Sequence, residues 1–244
     1  ISKYGADGLR HGIMSIAPKG HDIRFSEERI EQGRNFCNKL WNASRFVLMN
    51  TEDQDTGNKG GELELSLADK WIWARFQKSL KEFESALVDY RFDIAAQVIY
   101  EFTWNQFCDW YLELSKPILN SEQSSEAQKR GTRHTLVNVL ESLLRLMHPI
   151  MPFITEEIWQ KINPLLKENR QQSESIMLAQ YPVPTHSVDV NAEADVEWIK
   201  GVIIAIRNIR GEMDISPAKN ISVFLSSSNP LDQTRLESYR RFLE

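Results

Sequence analysis

Four long stretches of the chain carry the apolar periodicity of an amphipathic helix, and this repetition limits the fold more than any other feature. Ser26 offers an N-cap to the first stretch, with Glu27 and Glu28 in the first turn, where acids complement the helix dipole. The second stretch opens at Ser66, whose spacing to Asp69 resembles a capping box. Such helices, joined by connections of modest length, are typical of an antiparallel bundle.

Prolines mark the ends of the remaining stretches. The third, "RFDIAAQVIYEFTWNQFCDWYLELSK", is predicted to stop before Pro117, because proline cannot continue the ladder of backbone hydrogen bonds. In the fourth, Pro149 and Pro152 end one helix and allow another to start. We therefore predict a mainly α fold with an antiparallel helix bundle over residues 26–162. Its core is expected to contain Trp71, Trp73, Trp104 and Trp159.

The segments on either side of this bundle have different patterns. Residues 1–25 begin with a short helical pattern that a proline and a glycine break. Residues 163–192 lose helical periodicity and are predicted to form an extended linker. Residues 193–244 combine two helical patterns with "NISVFL", which alternates like a strand and predicts a small α/β module, truncated at its end. The apolar positions of this strand are Ile221, Val223 and Leu225.

Composition points to a globular protein of the cytoplasm. Hydrophobic residues make up 41% of the 244 residues and charged residues 26%, as in ordinary globular domains. No apolar run is long enough to span a bilayer, and no signal peptide is recognisable, so we expect no membrane association. A net charge of −5 argues against indiscriminate coating of nucleic acid, which depends on Lys and Arg, but leaves room for a local basic patch.

No motif for catalysis or metal binding is present. The chain lacks GxxxxGK, GxGxxG, HExxH and GxSxG sequences, and its five histidines are scattered. Cys37 and Cys108 lie in helical patterns without a CxxC or Cys/His cluster. We therefore predict no catalytic residue, no metal site and no cofactor in this chain.

One side of the first bundle helix combines amides, cations and a ring. At about 100° per residue, its apolar residues, Trp41 among them, share one side of the helix, and its polar residues share the other. Phe46 falls within the polar set. The other polar positions are Asn35, Asn38, Lys39, Asn42 and Arg45.

Two interpretations fit this placement of Phe46. In one, a neighbouring helix covers the polar side and the ring is ordinary interhelix packing. In the other, the ring stacks on an unpaired RNA base, while amides read base edges and cations meet phosphates or bases. Arg34 leads towards this side of the helix, and Arg207 with Arg210 forms a second basic candidate one turn apart on a later helix.

The residues resemble the valyl-tRNA synthetase family. The stretch from "KYGADGLRHGIM" to "GRNFCNKLWNASRFVLMN" is similar to the part of these enzymes that runs into the anticodon-binding bundle. "FCDWYLELSKP" and "MHPIMPFITEEIW" resemble segments shared by branched-chain class I synthetases, and "IRNIRGEMDISPAK" is similar to a downstream motif of the valine enzymes. The isoleucine enzymes are the close competitor, but their first bundle helix fits less well.

This resemblance implies recognition of the anticodon loop of valine tRNA, with the middle and third anticodon bases as main determinants. The matching positions are Lys39, Asn42, Arg45 and Phe46, with Asn35 on the same side. Arg10, in "GADGLR", matches a segment that contacts the tRNA stem, and Arg34, Arg207 and Arg210 are further candidates for contact with the tRNA backbone. His11 stands where a larger apolar residue is expected.

The resemblance also implies chemistry outside this chain. Neither a HIGH nor a KMSKS signature is present, so the site for ATP with Mg, the valine pocket and the editing domain are expected upstream in a longer parent chain. A coiled-coil arm is expected after residue 244. We expect this chain to be a monomer that binds tRNA and activates no amino acid. A helical scaffold for protein partners, with Phe46 as an interface anchor, is the alternative from another functional class.

Overall fold

The structure, a computed structural model, describes residues 1–20, 22–166, 173–185, 190–216 and 218–243. The chain divides into two compact units, Ile1–Val188 and Asp189–Glu244. The first unit contains helices α1 (Ala6–Ser15), α2 (Glu27–Thr51), α3 (Leu67–Val88), α4 (Phe92–Glu101), α5 (Leu112–Leu119), α6 (Glu126–Met147) and α7 (Pro152–Ile162). The second contains α8 (Val190–Glu212) and α9 (Pro230–Tyr239). The predicted mainly α fold with its helix bundle is confirmed.

Helix caps explain where the bundle helices begin. The Ser26 side chain accepts a hydrogen bond from the Arg29 backbone N–H at the start of α2. The predicted capping box of α3 is confirmed, because Ser66 and Asp69 each accept a hydrogen bond from the other's backbone N–H. Pro152 occupies the first turn of α7, where its missing N–H costs no intrahelical bond.

A π-helical stretch interrupts the third predicted helix. The residues Phe102–Tyr111, here called the π segment, form wider turns between α4 and α5. The predicted stop before Pro117 is wrong, because α5 continues through this proline to Leu119. Only two residues of α5 follow the proline, and one of them, Ile118, is fully buried. This burial favours the helical path despite the missing N–H.

The bundle core contains several large aromatic rings among its aliphatic side chains. Trp71 and Trp159 are buried as predicted, together with several phenylalanines of α2, α3 and the π segment. Trp73 and Trp104 are only half-buried, so their assignment to the core is wrong. Both lie where a helix side turns towards solvent, and amphipathic periodicity does not locate that border sharply.

The predicted linker, 163–192, is tied to the bundle where the structure describes it. Glu156 of α7 accepts hydrogen bonds from the Ser175 hydroxyl at 2.8 Å and the Ile176 N–H at 3.2 Å. The Tyr181 hydroxyl donates to the Leu146 carbonyl at 3.0 Å, and the Thr185 N–H donates to Gln77. Residues 167–172 and 186–189 of this predicted linker lie outside the described part of the chain.

The second unit has no strand among its described residues. The strand predicted over 220–225 is therefore wrong. Its alternating pattern needs a neighbouring strand to complete the backbone hydrogen bonds, and the described residues of this unit provide none. Instead these residues line a groove with α8 and α9. Asp195 of α8 joins the two helices by accepting hydrogen bonds from Arg235 at 2.9 Å and Tyr239 at 2.7 Å.

Within the described residues, no helix combines the length and apolar character needed to cross a membrane.

The crossing of α1 over α2 depends on Gly33. A Cβ atom at this position would lie 2.2 Å from the Gly8 backbone oxygen, and a backbone atom cannot rotate away as a side chain can. We expect Gly33→Ala to lower the free energy of unfolding by about 1–3 kcal/mol, as overpacking does. Urea unfolding followed by circular dichroism measures this loss.

Gly201→Ala is the control for this substitution. Gly201 lies in α8, and a Cβ atom there would meet nothing within 4 Å. Alanine is the better helix former by roughly 0.5–1 kcal/mol, so this change should be neutral or stabilising. Equal stabilities for the Gly33→Ala chain and the unchanged chain would show that α1 and α2 do not cross as closely as described.

Candidate functional site

The residues singled out on the first bundle helix lie together on one side of α2. Asn35, Asn42 and Arg45 are exposed, and Lys39 and Phe46 are half-buried. These five residues are here called the polar face of α2. The opposite side is sealed in the core, where Phe36, Leu40, Ala43 and Val47 are each at most 5% exposed. Helical periodicity therefore separated the two sides correctly for these residues.

Phe46 is neither fully uncovered nor sealed. Its side chain is half-buried, and the Lys116 ammonium of α5 lies 5.7 Å from the ring centroid. This distance is within the range of a cation–π interaction. A ring that is half open beside a cation can stack on a flat, electron-rich partner while the ammonium meets a nearby anion.

Lys39 is held in place by the π segment. Its ammonium lies 2.6 Å from a carboxylate oxygen of Asp109 and 5.0 Å from the ring centroid of Trp104. Tyr100 stacks on the same indole with 5.4 Å between centroids. Asp109 lies next to Trp110 and Tyr111 in the sequence, but its carboxylate pairs with Lys39. Both charged side chains remain about one-third or more exposed, at 32% and 43%, so a phosphate can compete for the ammonium.

Asn42 and Arg45 keep their polar groups available. The described part of the chain gives neither side chain a hydrogen bond or an ion pair. Asn35 lies next to Arg34, whose guanidinium pairs with Glu31 at 2.8 Å. The polar face of α2 thus presents amide donors and acceptors and one unpaired guanidinium beside a half-open ring.

Trp41 departs from the sequence prediction. Periodicity placed this residue on the apolar side of the helix, but the indole is 38% exposed. The reason is that α7 only partly covers this part of α2, which leaves an open groove. Lys116 is a neighbour of Phe46 that the sequence pattern did not predict. No periodicity within α2 could have indicated it, because the lysine comes from another helix.

Two of the other predicted tRNA contacts, Arg10 and Arg210, donate hydrogen bonds to backbone carbonyls within their own units. The Arg10 guanidinium donates to the carbonyls of Pro149 and Ile150, each at 2.9 Å, and so joins α1 to the turn after α6. In the second unit, Arg210 donates to the carbonyls of Ser216 and Lys219, each at 2.9 Å. Arg207 is exposed on the same helix.

The two thiols and the possible metal ligands were also located in the structure. Burial raises the pKa of both thiols, Cys37 and Cys108, to about 12, so each is a protonated and weakly nucleophilic group near neutral pH. Within the same residues, no three His, Cys, Asp or Glu side chains are grouped to hold a metal ion. The arrangement on α2 is suited to binding, by stacking, hydrogen bonding and charge.

The family model described as the anticodon-binding domain of tRNA ligase matches residues 69–225. This range includes the π segment and α5 but starts after α2. It covers well over half of the chain.

One solved synthetase structure is similar in fold, and a second matches less well. The apo form of Mycobacterium tuberculosis methionyl-tRNA synthetase superposes with a TM-score of 0.54 at 19% identity, over 77% of this chain and 39% of that chain. A leucyl-tRNA synthetase of Agrobacterium radiobacter K84, in a ternary complex with tRNA and LeuAMS, gives a TM-score of 0.49 at 14% identity, over 91% of this chain and 27% of that one. The chain thus spans less than half the length of either enzyme.

Proposed function

Because the chain belongs to the family of anticodon-binding domains of tRNA ligases, we propose that it binds the anticodon loop of a tRNA, and that this tRNA is valine tRNA. The observation that carries the proposal is the polar face of α2, where a half-open ring lies among amides and cations. The valine assignment rests on the resemblance of "GRNFCNKLWNASRFVL", which contains this face, to the valine enzymes.

Each side chain of this face has a role that follows from its chemistry. Phe46 stacks on an unpaired anticodon base, and Asn42 offers a donor and an acceptor to a base edge. Lys39 and Arg45 supply positive charge to phosphates, and Asn35 extends the row of amides. Arg10, Arg34, Arg207 and Arg210 are proposed to add contacts to the tRNA backbone.

The chain acts by positioning the tRNA. Contacts at the anticodon select the cognate tRNA and orient its distant acceptor end towards a catalytic domain of the parent chain, where ATP with Mg drives aminoacylation. The editing domain belongs to the same parent chain. The chain itself is proposed to be a cytoplasmic monomer without catalytic activity of its own.

The first experiment compares tRNAs. Valine tRNA, valine tRNA with a changed middle anticodon base, and isoleucine tRNA are titrated against the chain by fluorescence anisotropy. We expect valine tRNA to bind about tenfold or more tightly than the altered one, since a wrong base leaves buried polar groups unpaired. Equal affinities would refute anticodon recognition, and preference for isoleucine tRNA would move the assignment to the isoleucine enzymes.

Salt separates RNA binding from a protein scaffold. Binding that neutralises phosphates weakens steeply as salt rises, whereas a hydrophobic protein interface responds much less. The affinity for valine tRNA should therefore fall strongly between about 50 and 200 mM salt. A salt-insensitive interaction would favour the scaffold interpretation.

Phe46→Ala tests the ring directly. We expect this change to weaken binding of valine tRNA about fivefold or more, because stacking of a base on an aromatic ring contributes about 1–3 kcal/mol. Phe46→Tyr keeps the ring and should bind like the unchanged chain. Circular dichroism checks that both variants fold, and a folded Phe46→Ala chain with undiminished affinity would eliminate Phe46 as a base platform.

A further inference from the structure

A second aromatic ring that solvent can reach lies on α2, in a groove that the proposed function does not use. Trp41 is 38% exposed and forms one wall of a groove between α2 and α7 with a volume of about 250 Å³. Leu48 and Ile158 provide an apolar floor. Ser44 lines the groove too, but its hydroxyl donates to the Leu40 carbonyl at 2.8 Å. The groove is therefore mainly apolar and is bordered by a large indole.

Two cations stand at the rim of this groove. Arg45 lines it without an ion pair among the described residues, and the Lys161 ammonium lies 5.6 Å from the Trp41 ring centroid. Lys161 also pairs with Glu157 at 3.1 Å, but both side chains are at least 50% exposed. An exposed pair of this kind is weak and can be exchanged for a phosphate at little cost. A flat apolar group carrying negative charge fits these surroundings.

The groove is continuous with the polar face of α2. Arg45 follows Trp41 by four residues, so the two side chains differ by only about 40° around the helix. Phe46 is the next residue after Arg45 and lies about 100° further around the helix, on the side of Arg45 away from Trp41. Along the helix axis, Phe46 and Trp41 are about 7.5 Å apart. Arg45 therefore borders both rings, and a single strand that passes over it can reach both.

We propose that the groove beside Trp41 binds a second unpaired base of the same tRNA loop, stacked on the indole, with Lys161 and Arg45 contacting its phosphates. This inference rests on the proposed function, because it extends the surface that Phe46 begins. An RNA base is favoured over a peptide helix because the groove is short and its rim is positive. Stacking on an indole is tolerant of base identity, so the groove adds affinity more than sequence discrimination.

Fluorescent RNA tests the groove. Anticodon stem-loops of valine tRNA carry 2-aminopurine at one loop position at a time and are titrated against the chain. Stacking on an aromatic ring quenches the fluorescence of 2-aminopurine. We therefore expect the fluorescence to be quenched at two loop positions, one that requires Phe46 and another that requires Trp41. Trp41→Leu keeps apolar packing but removes the ring, and should abolish the second quenching and weaken binding about tenfold. Trp41→Phe should retain both.

Two further variants keep the test decisive. Phe92→Ala is the matched control, because Phe92 on α4 is 42% exposed and so resembles Trp41 in exposure. It should leave affinity and quenching unchanged. Lys161→Gln alters only an exposed side chain and should reduce the slope of log affinity against log salt by about one. The salt dependence of Lys161→Gln tests the groove even if the Trp41→Leu chain does not fold.

The outcomes distinguish this inference from the function on which it rests. If the unchanged chain does not bind the stem-loop, both fail. If Phe46→Ala weakens binding but a folded Trp41→Leu chain binds with the same affinity and the same quenching pattern, the groove alone is eliminated. An unchanged salt slope in Lys161→Gln would likewise refute the phosphate contact.

Discussion

Asp69→Ala is expected to lower the free energy of unfolding by about 3 kcal/mol or more, because it leaves several buried donors without an acceptor. Asp69 is fully buried. Its carboxylate accepts from the Tyr111 hydroxyl at 2.7 Å, the Thr132 hydroxyl at 2.8 Å, and the Ser66 hydroxyl and N–H at 2.7 and 2.8 Å. Burial raises the pKa of this carboxyl, and the four hydrogen bonds oppose the rise by favouring the charged form.

This carboxylate connects three parts of the bundle. Ser66 precedes α3, Thr132 lies in α6, and Tyr111 ends the π segment. The same π segment carries Asp109, which pairs with Lys39 on the polar face of α2. Loss of the Asp69 carboxylate should therefore destabilise the core and also loosen the π segment beside the proposed RNA-binding surface.

Urea unfolding at pH 7 measures the effect of Asp69→Ala, with Glu31→Gln as control. Glu31 pairs with Arg34 at 2.8 Å on an exposed part of α2, and removal of such a pair should change stability by less than about 1 kcal/mol. A loss below about 1 kcal/mol for Asp69→Ala as well would mean that the four hydrogen bonds contribute no more than a surface ion pair.

Local signals in the sequence were sufficient for the starts of α2 and α3 and for most of the polar face of α2. Ser26 and the Ser66–Asp69 pair define helix starts through contacts within four residues, and such contacts can be read from spacing. Asn35, Lys39, Asn42 and Phe46 share one side of α2 because a helix places residues three to four apart on the same side. Long-range packing is not needed for either prediction.

The failures arise where another segment determines the outcome. Trp41 is exposed because α7 leaves a groove beside it, and Asp109 meets Lys39 because the π segment turns it towards α2. The wide turns of the π segment have no spacing signature that distinguishes them from an ordinary helix. In the second unit, Ile221, Val223 and Leu225 occupy every second position, as the apolar residues of a strand do. A strand also needs a neighbouring strand, which the local pattern cannot supply.

His11 is a polar residue whose burial depends on rings from other helices. His11, where a larger apolar residue is expected, has an apolar environment: it is only 5% exposed, and its ring centroid lies 4.8 Å from that of Phe36 and 6.1 Å from that of Tyr100. Neither ring nitrogen makes a hydrogen bond of ordinary geometry among the described residues, although the Ala96 backbone lies close enough to oppose part of the fall in the pKa of His11. Burial lowers the pKa of His11 from 6.5 to about 4, so the folded protein holds the ring neutral.

A neutral buried histidine makes stability depend on pH in a defined window. Above pH 6.5 the ring is neutral in both the folded and the unfolded chain, and no proton is taken up on unfolding. As the pH falls from 6.5 to 4, the unfolded chain binds a proton that the folded chain excludes, so stability decreases. The pKa difference corresponds to a loss of about 3 kcal/mol at pH 4 from this residue.

His11→Leu should remove this loss. We expect the variant to be at least as stable as the unchanged chain at pH 7, since leucine leaves no ring nitrogen unpaired, and to be more stable by about 3 kcal/mol near pH 4. Urea unfolding at several pH values measures the difference between the two chains. Burial also lowers the pKa of His148, but this group is present in both chains and cancels in the difference. Parallel stability curves for the two chains from pH 7 to pH 4 would contradict the prediction, because they would require His11 to take up its proton as readily in the folded protein as in the unfolded one.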